Sequence, residues 1–164
     1  MSKMLLIVFV KNAVLGKVKT RLAKTVGNTK AFQVYQQLLY LTQNCVKEVV
    51  ADKHIYFSDE VVPNEWEKEL KFVQEGESLG DRMLNAFKDG FEQGYEKVVL
   101  IGSDLPDISP EIIHTSFEEL DHKEVVFGPA EDGGYYLIGM RNLFYFIFEN
   151  KPWSESVLLN VTLE

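Results

Sequence analysis

A single cysteine, Cys45, in 164 residues leaves no partner for an internal disulfide. That excludes the cross-linked scaffolds of small secreted proteins and suits a reducing compartment. The three histidines, His54, His114 and His122, form no HExxH pattern and have no cysteines beside them, so the usual zinc ligand sets are missing. No GxSxG elbow supplies a hydrolase nucleophile. Neither a GxxxxGK[ST] phosphate loop nor a GxGxxG dinucleotide fingerprint occurs. The apolar run Met4 to Val10 is too short to span a bilayer, and no small-residue cleavage site follows it. It reads as a first strand, and a cytoplasmic location without membrane insertion is expected. No repeat, low-complexity tract or linker divides the chain, which is expected to be one domain over residues 1–164.

Acidic residues are missing from one part of the chain. The net charge is −8, yet residues 1–47 hold eight Lys or Arg and no Asp or Glu. The other nine basic residues stand among all 25 acids. A local basic segment in an acidic chain argues against general nucleic-acid binding and for a bound anion such as a phosphate near the N-terminus. A solvated helix surface accounts for some of these lysines.

Strand-like and helix-like patterns alternate along what remains. Strands are expected at Lys3–Lys11, His54–Phe57, Lys71–Gln74, Val98–Ile101, Glu124–Phe127 and Tyr135–Gly139. A long helix is expected from a cap at Asn28 or Thr29 to about Val49. Its buried face would be Phe32, Tyr35, Leu38, Leu39, Thr42, Cys45, Val46 and Val49, with Cys45 a small core residue. A second helix carries Leu79, Met83, Ala86, Phe87 and Phe91 and ends at Gly94. A third starts from Ser109 with Pro110 in its first position and buries Ile112, Ile113, Phe117 and Leu120. Pro63–Leu70 is expected to be a polar surface segment or short helix, Asn142–Phe148 a short helix or turn, and the residues after Trp153 a last helix. This alternation implies an α/β sandwich with a mostly parallel sheet.

Three polar clusters follow strands. The first is Gly16 with Lys17, Lys19 and Arg21, where a glycine permits close approach and the cations suit phosphate oxygens, Arg21 bidentately. The second is Gly102-Ser103-Asp104-Leu105-Pro106. A carboxylate at the tip of a central strand sits where open α/β sheets hold ligands and can hold a hard divalent cation against a diphosphate. A cap on a turn or on the next helix is the equally weighted alternative for Asp104. The third is Asp132-Gly133-Gly134, for which a tight turn between two strands is the stronger reading taken alone. Parallel strands bring such tips to one sheet edge, where Asp104 would hold Mg²⁺ or Mn²⁺ and the basic loop would offset phosphate charge.

Four motifs stand in order: Lys11-x-x-x-x-Gly16-x-Val18-Lys19-Thr20-Arg21-Leu22, Gln74-x-x-x-x-Leu79-Gly80-x-Arg82-Met83, Ile101-Gly102-Ser103-Asp104-Leu105-Pro106, and Gly128-Pro129-Ala130-x-Asp132-Gly133-Gly134-Tyr135-Tyr136. As a set they resemble the GT-A-like transferases described as radical-SAM/selenodomain-associated, a glycosyltransferase-like family. More distantly they resemble the 2-phospholactate and molybdenum-cofactor guanylyltransferases of the nucleotide-diphospho-sugar transferase superfamily. The resemblance runs through essentially the whole chain and implies a three-layer, Rossmann-like GT-A fold with a mostly parallel mixed sheet.

The resemblance also assigns roles. Gly16, Lys17, Lys19 and Arg21 would face the nucleotide phosphates, with Lys19, Arg21 and Asp104 as the catalytic set. Gln74, Leu79, Gly80 and Arg82 would lie near base and ribose. Asp104 would ligate the metal, and Asp132, Gly133 and Gly134 would border the acceptor or a second metal position. Two departures are visible: Ala13 stands where the family usually has proline, and the family usually continues past the equivalent of Glu164 through another strand and an Asp-containing motif. A C-terminal segment is therefore expected to be lacking.

The implied activity is metal-dependent transfer from a nucleotide-activated donor, foremost a nucleotide sugar. The alternatives are nucleotidyl transfer from a nucleoside triphosphate with release of pyrophosphate, for which the Lys19–Leu22 loop is similar to that of pyrophosphorylases, and a non-catalytic nucleotide-binding module. The sugar, base, acceptor and oligomeric state have no signature.

Overall fold

The computed structural model describes residues 3–12, 24, 27–103, 105, 107–129, 135–144 and 147–148. Its elements in chain order are β1 (Met4–Val10), α1 (Asn28–Lys47), β2 (Asp52–Phe57), β3 (Leu70–Val73), α2 (Leu79–Glu92), β4 (Lys97–Gly102), α3 (Pro110–Glu119), β5 (Val125–Pro129) and β6 (Tyr135–Met140). The strands form one six-stranded sheet in the order β3-β2-β1-β4-β6-β5. β1 pairs in parallel with β2 and β4, and β2 with β3. β6 runs antiparallel to both β4 and β5, so β5 points the same way as β1 and β4. The expected α/β sandwich with a mostly parallel sheet is the fold found.

Why β1 lies at the centre follows from its sequence. Leu5, Leu6, Ile7, Val8 and Val10 have no exposed surface, as a strand covered by helices on both faces requires. Leu6, Val8 and Val10 pack with Tyr35 and Leu39 of α1 and Ile113 and Phe117 of α3. Leu5, Ile7 and Phe9 pack with Met83, Ala86 and Phe87 of α2. Side-chain alternation thus splits the interior into two layers, one under α1 and α3 and one under α2. Cys45 is a buried residue of the first, and burial, followed by the charge of Glu111, pushes its thiol up to about 11.

Helix starts differ in how they are capped. Ser78 accepts a hydrogen bond from the Asp81 amide (3.1 Å) at the start of α2, and Ser109 accepts one from the Ile112 amide (3.2 Å) at the start of α3. The cap expected at Asn28 or Thr29 is not there. α1 starts at Asn28 behind Gly27, whose φ of 92° only glycine adopts freely, and no side chain caps it. Pro63–Leu70 is turns and bends, not a helix, until β3 begins at Leu70. Its indole, Trp66, is buried in the layer under α1, which explains why this polar stretch follows the surface of the core. The last helix expected after Trp153 lies outside the described residues.

Candidate functional site

Chain direction in the sheet creates one chemically distinct edge. β1 is followed by β2 on one side, but the chain returns to lay β4 on the other, so the connections diverge between the C-terminal ends of β1 and β4. In open α/β sheets a crevice forms at such a divergence. β5 shares the direction of β4, so the connection from β5 to β6 also leaves from this edge.

Side chains that bond backbone groups hold the strand ends together there. Asn12, two residues past β1 and buried, donates from Nδ2 to the Glu60 carbonyl (2.8 Å). Its Oδ1 accepts from the amides of Asp59 (2.8 Å) and Glu60 (3.2 Å) and from the Ser58 hydroxyl (3.3 Å). The Asn12 amide donates to Ser58 Oγ (3.0 Å). A single carboxamide therefore ties the end of β1 to the end of β2. On the other side, the Tyr35 hydroxyl of α1 donates to the Lys11 carbonyl and lies 3.3 Å from Ser103 Oγ. A carbonyl only accepts, so the tyrosine proton goes to Lys11 and Ser103 donates to the tyrosine oxygen.

Further along the edge, the Gln74 amide donates to the Phe57 carbonyl (2.8 Å) and its Nε2 to the Tyr56 carbonyl (3.1 Å). Gln74 Oε1 accepts from Arg82 Nη1 (3.3 Å), and Arg82 Nε donates to the Gly76 carbonyl (3.0 Å). Gly76 has φ 138°, and a Cβ there would lie 2.8 Å from the Arg82 amide nitrogen, so only glycine lets this loop fold back on the first turn of α2. Gly80 is buried, while Leu79 is 41% exposed at the mouth of the loop rather than in the apolar stripe of α2. Below the loop, a hollow of about 150 Å³ opens between β3 and α2. Stacked rings of Tyr56 and Phe72, 5.0 Å apart, line it together with Glu75, Arg82, Asn85 and Asp89. Burial first, then the charges of Asp89 and Glu75, push the Tyr56 phenol up to about 12, so it stays neutral and polar. Larger hollows open against the outer face of α1 and against Trp66.

Of the residues singled out in sequence, Gln74, Leu79, Gly80 and Arg82 come together on one loop and the helix turn after it. Gly16, Lys17, Lys19, Arg21, Asp104, Asp132, Gly133 and Gly134 lie outside the described residues. Their flanks are placed: Asn12 before the first cluster, Ser103 before Asp104, and β5 and β6 on either side of the third, all at the same edge. Among the described residues no group of three His, Cys, Asp or Glu is placed to hold a metal ion, and no helix is long and apolar enough to cross a membrane. Sequence reading missed the tie made by Asn12 and the hydrogen bonds of Tyr35, although it placed Tyr35 correctly in the buried face of α1. An asparagine two residues after a fully apolar strand is the available signal for Asn12. Tyr35 had no signal in its own helix pattern.

Comparison with known proteins follows the same outline. The family described as "Uncharacterized protein conserved in bacteria (DUF2064)" matches residues 28–155. A crystal structure of a candidate nucleotide-diphospho-sugar transferase from Desulfovibrio desulfuricans G20 is similar over 99% of this chain and 74% of its own, with 34% identity and a TM-score of 0.90. A cytidylyltransferase from Leptospira borgpetersenii (10% identity, TM-score 0.59, 91% of this chain and 63% of that one) shares the fold. So does 4-diphosphocytidyl-2C-methyl-D-erythritol synthase from Anaerococcus prevotii (11% identity, TM-score 0.61, 99% and 84%). No curated protein matches the chain.

Proposed function

The chain belongs to the bacterial family DUF2064, and we propose that it is a transferase taking a nucleotide-activated donor, foremost a nucleotide-diphospho-sugar. The observation that carries this reading is the pairing of β1 with β4 in parallel at the point where the connections diverge. The basic segment and Asp104 follow these two adjacent strand ends in the chain, which supports the reading. The 34% identical relative supports it, because its likeness extends over nearly all of this chain.

In this reading Lys17, Lys19 and Arg21 neutralise the donor's phosphates, Arg21 bidentately, with Gly16 letting the backbone approach them. Gln74, Leu79, Gly80 and Arg82 border the base and ribose. The Gln74–Arg82 hydrogen bond is consistent with a loop shaped before the ligand arrives. Asp132, Gly133 and Gly134 border the acceptor. Asp104, with Asp132, is the proposed ligand set for Mg²⁺ or Mn²⁺, and all-oxygen carboxylate donors fit hard cations. Such an ion, when bound, supplies positive charge beside the diphosphate. With a nucleotide sugar, the bond between the anomeric carbon and the diphosphate oxygen breaks, the acceptor hydroxyl oxygen bonds that carbon, and the hydroxyl proton is released with the nucleoside diphosphate. Lys19 and Arg21 then stabilise charge on the departing nucleoside diphosphate.

Nucleotidyl transfer is the second reading, supported by the shared fold with the cytidylyltransferases. There a phosphorylated acceptor attacks the α-phosphorus of a triphosphate and pyrophosphate leaves. Turnover separates the two: pyrophosphate formed from a nucleoside triphosphate, with no nucleotide sugar consumed, overturns the glycosyl reading. Titration calorimetry tests what both share. Nucleotide binding is expected to require Mn²⁺ and to weaken by about 100-fold or more in Asp104→Ala. Binding indifferent to both metal and substitution overturns both.

A further inference from the structure

Tyr35 sits in the interior stripe of α1 and is 2% exposed, where the ring of a phenylalanine would fill the same space. Its hydroxyl sets it apart. Lys11, whose carbonyl accepts the tyrosine proton, is the first residue after β1, and Ser103, which donates to the tyrosine oxygen, is the first after β4. β1 and β4 are the two strands that flank the divergence point. Tyr35 is also carried by the helix that the basic segment leads into. The Lys11–Tyr35 bond therefore joins the chain on either side of the segment that carries Gly16, Lys17, Lys19 and Arg21. The Ser103 bond adds the residue immediately before Asp104 to the same contact.

We propose that Tyr35 is a positioning residue: its buried hydroxyl fixes the spacing between the root of the basic loop and the strand end that leads to Asp104. This rests on the transferase reading for its purpose, since a diphosphate and its cation would lie between those two segments. The physical logic is one of cost. The Ser103 side chain is buried (4% exposed), and a buried hydroxyl or carbonyl left without its partner loses the full worth of its desolvation. The two strand ends are thereby held at one separation instead of sampling several. A charged site gains from such preorganisation, because cations and carboxylate need not move when the ligand arrives.

Tyr35→Phe keeps the ring and its packing and removes only the hydroxyl. Tyr40→Phe, on the same helix and 64% exposed, is the control. Two measurements are made on each full-length protein at a temperature where all are folded. The first is amide hydrogen exchange at residues 10–12 and 102–103. The second is calorimetric affinity for GTP, CTP, UDP-glucose and GDP-mannose with Mn²⁺. Exchange at both strand ends is expected to quicken in Tyr35→Phe alone, and affinity for whichever nucleotide the wild type binds to fall about tenfold. A purely structural tyrosine would lower the melting temperature while leaving low-temperature affinity and exchange at the β4 end unchanged; that result overturns the inference. Wild-type protein that binds none of the four nucleotides counts against the functional reading instead, and exchange alone then decides: unchanged exchange at the two strand ends overturns the positioning role, and quickened exchange upholds it.

Discussion

The two edges of this sheet are closed by different chemistry. At the edge where the parallel strands begin, charged groups pair, each ion pair with a solvent-exposed carboxylate. Lys97 pairs with Asp121 and Arg141 with Glu124 (2.6 Å), while Asn142 donates to the same Glu124 (2.8 Å) and the Tyr95 hydroxyl to Asp52 (2.6 Å). Where the parallel strands end, neutral side chains bond backbone groups in partly buried positions: Asn12 to Glu60, Tyr35 to Lys11, Gln74 to Tyr56. Exposed ion pairs compete with water and salt and fix geometry weakly. Buried amide and hydroxyl contacts are costly to leave unmade and hold one arrangement. The edge with the fixed arrangement is the one where Asn12 and Ser103 stand, the described residues that precede the basic segment and Asp104 in the chain.

Replacing Asn12 by alanine tests the difference hardest. It strands the amides of Asp59 and Glu60 and the Glu60 carbonyl, and we expect a loss of about 2–3 kcal/mol in urea denaturation. A loss under about 0.5 kcal/mol would mean that water replaces the carboxamide and that this edge is no more fixed than the other.

Acid is expected to act on the opposite half of the sheet. His54 is 1% exposed, and both ring nitrogens lack partners among the described residues. Its ring lies between Phe72 and Tyr95, centroids 5.0 and 5.8 Å away. Burial holds its pKa below the ordinary 6.5, against the opposing pull of Asp52 and Asp89. The unfolded chain therefore takes up the proton first. The stability that the neutral ring contributes is complete above about pH 6.5 and is lost as the pH falls below that value toward the folded pKa. Urea midpoints measured from pH 7.5 down to 5 should fall in the wild type and fall less steeply in His54→Phe; parallel slopes would rule the histidine out.

The smallest effect is expected from Arg141→Ala. Arg141 and then Asn142 hold the Glu124 carboxyl below its usual range by hydrogen bonding, but the pair is open to solvent. The urea midpoint should stay where it is, and a clear drop would show the ion-paired edge to be as firmly built as the other.

How much of this was legible beforehand depends on range. The alternation in β1 and the 3.6-residue stripes of α1 and α2 are local patterns, and the elements formed where those patterns lie. Ser109-Pro110 is likewise a local start signal, and the structure uses it as such. The cap of α1 misled because Asn28 and Thr29 are good cap residues by type, whereas the turn into the helix needs a positive φ and so falls to Gly27. Leu79 fits the apolar spacing of α2 but stands at the loop mouth, where no neighbouring layer covers it. The Gln74–Arg82 grouping was legible as a motif, yet that the two side chains bond each other appears only in three dimensions.

The sequence by itself therefore determined the order and kind of the elements and the confinement of positive charge to the acid-free first 47 residues, because these depend on near neighbours and composition. Only the tertiary structure decided that β1 lies between β2 and β4, that Asn12 ties two strand ends together, and that Tyr35, a core residue as its pattern implies, also bonds the ends of β1 and β4. The reason is separation along the chain. Asn12 meets Glu60 across 48 residues and Tyr35 meets Ser103 across 68, and no periodicity or propensity in either segment encodes a partner that far away.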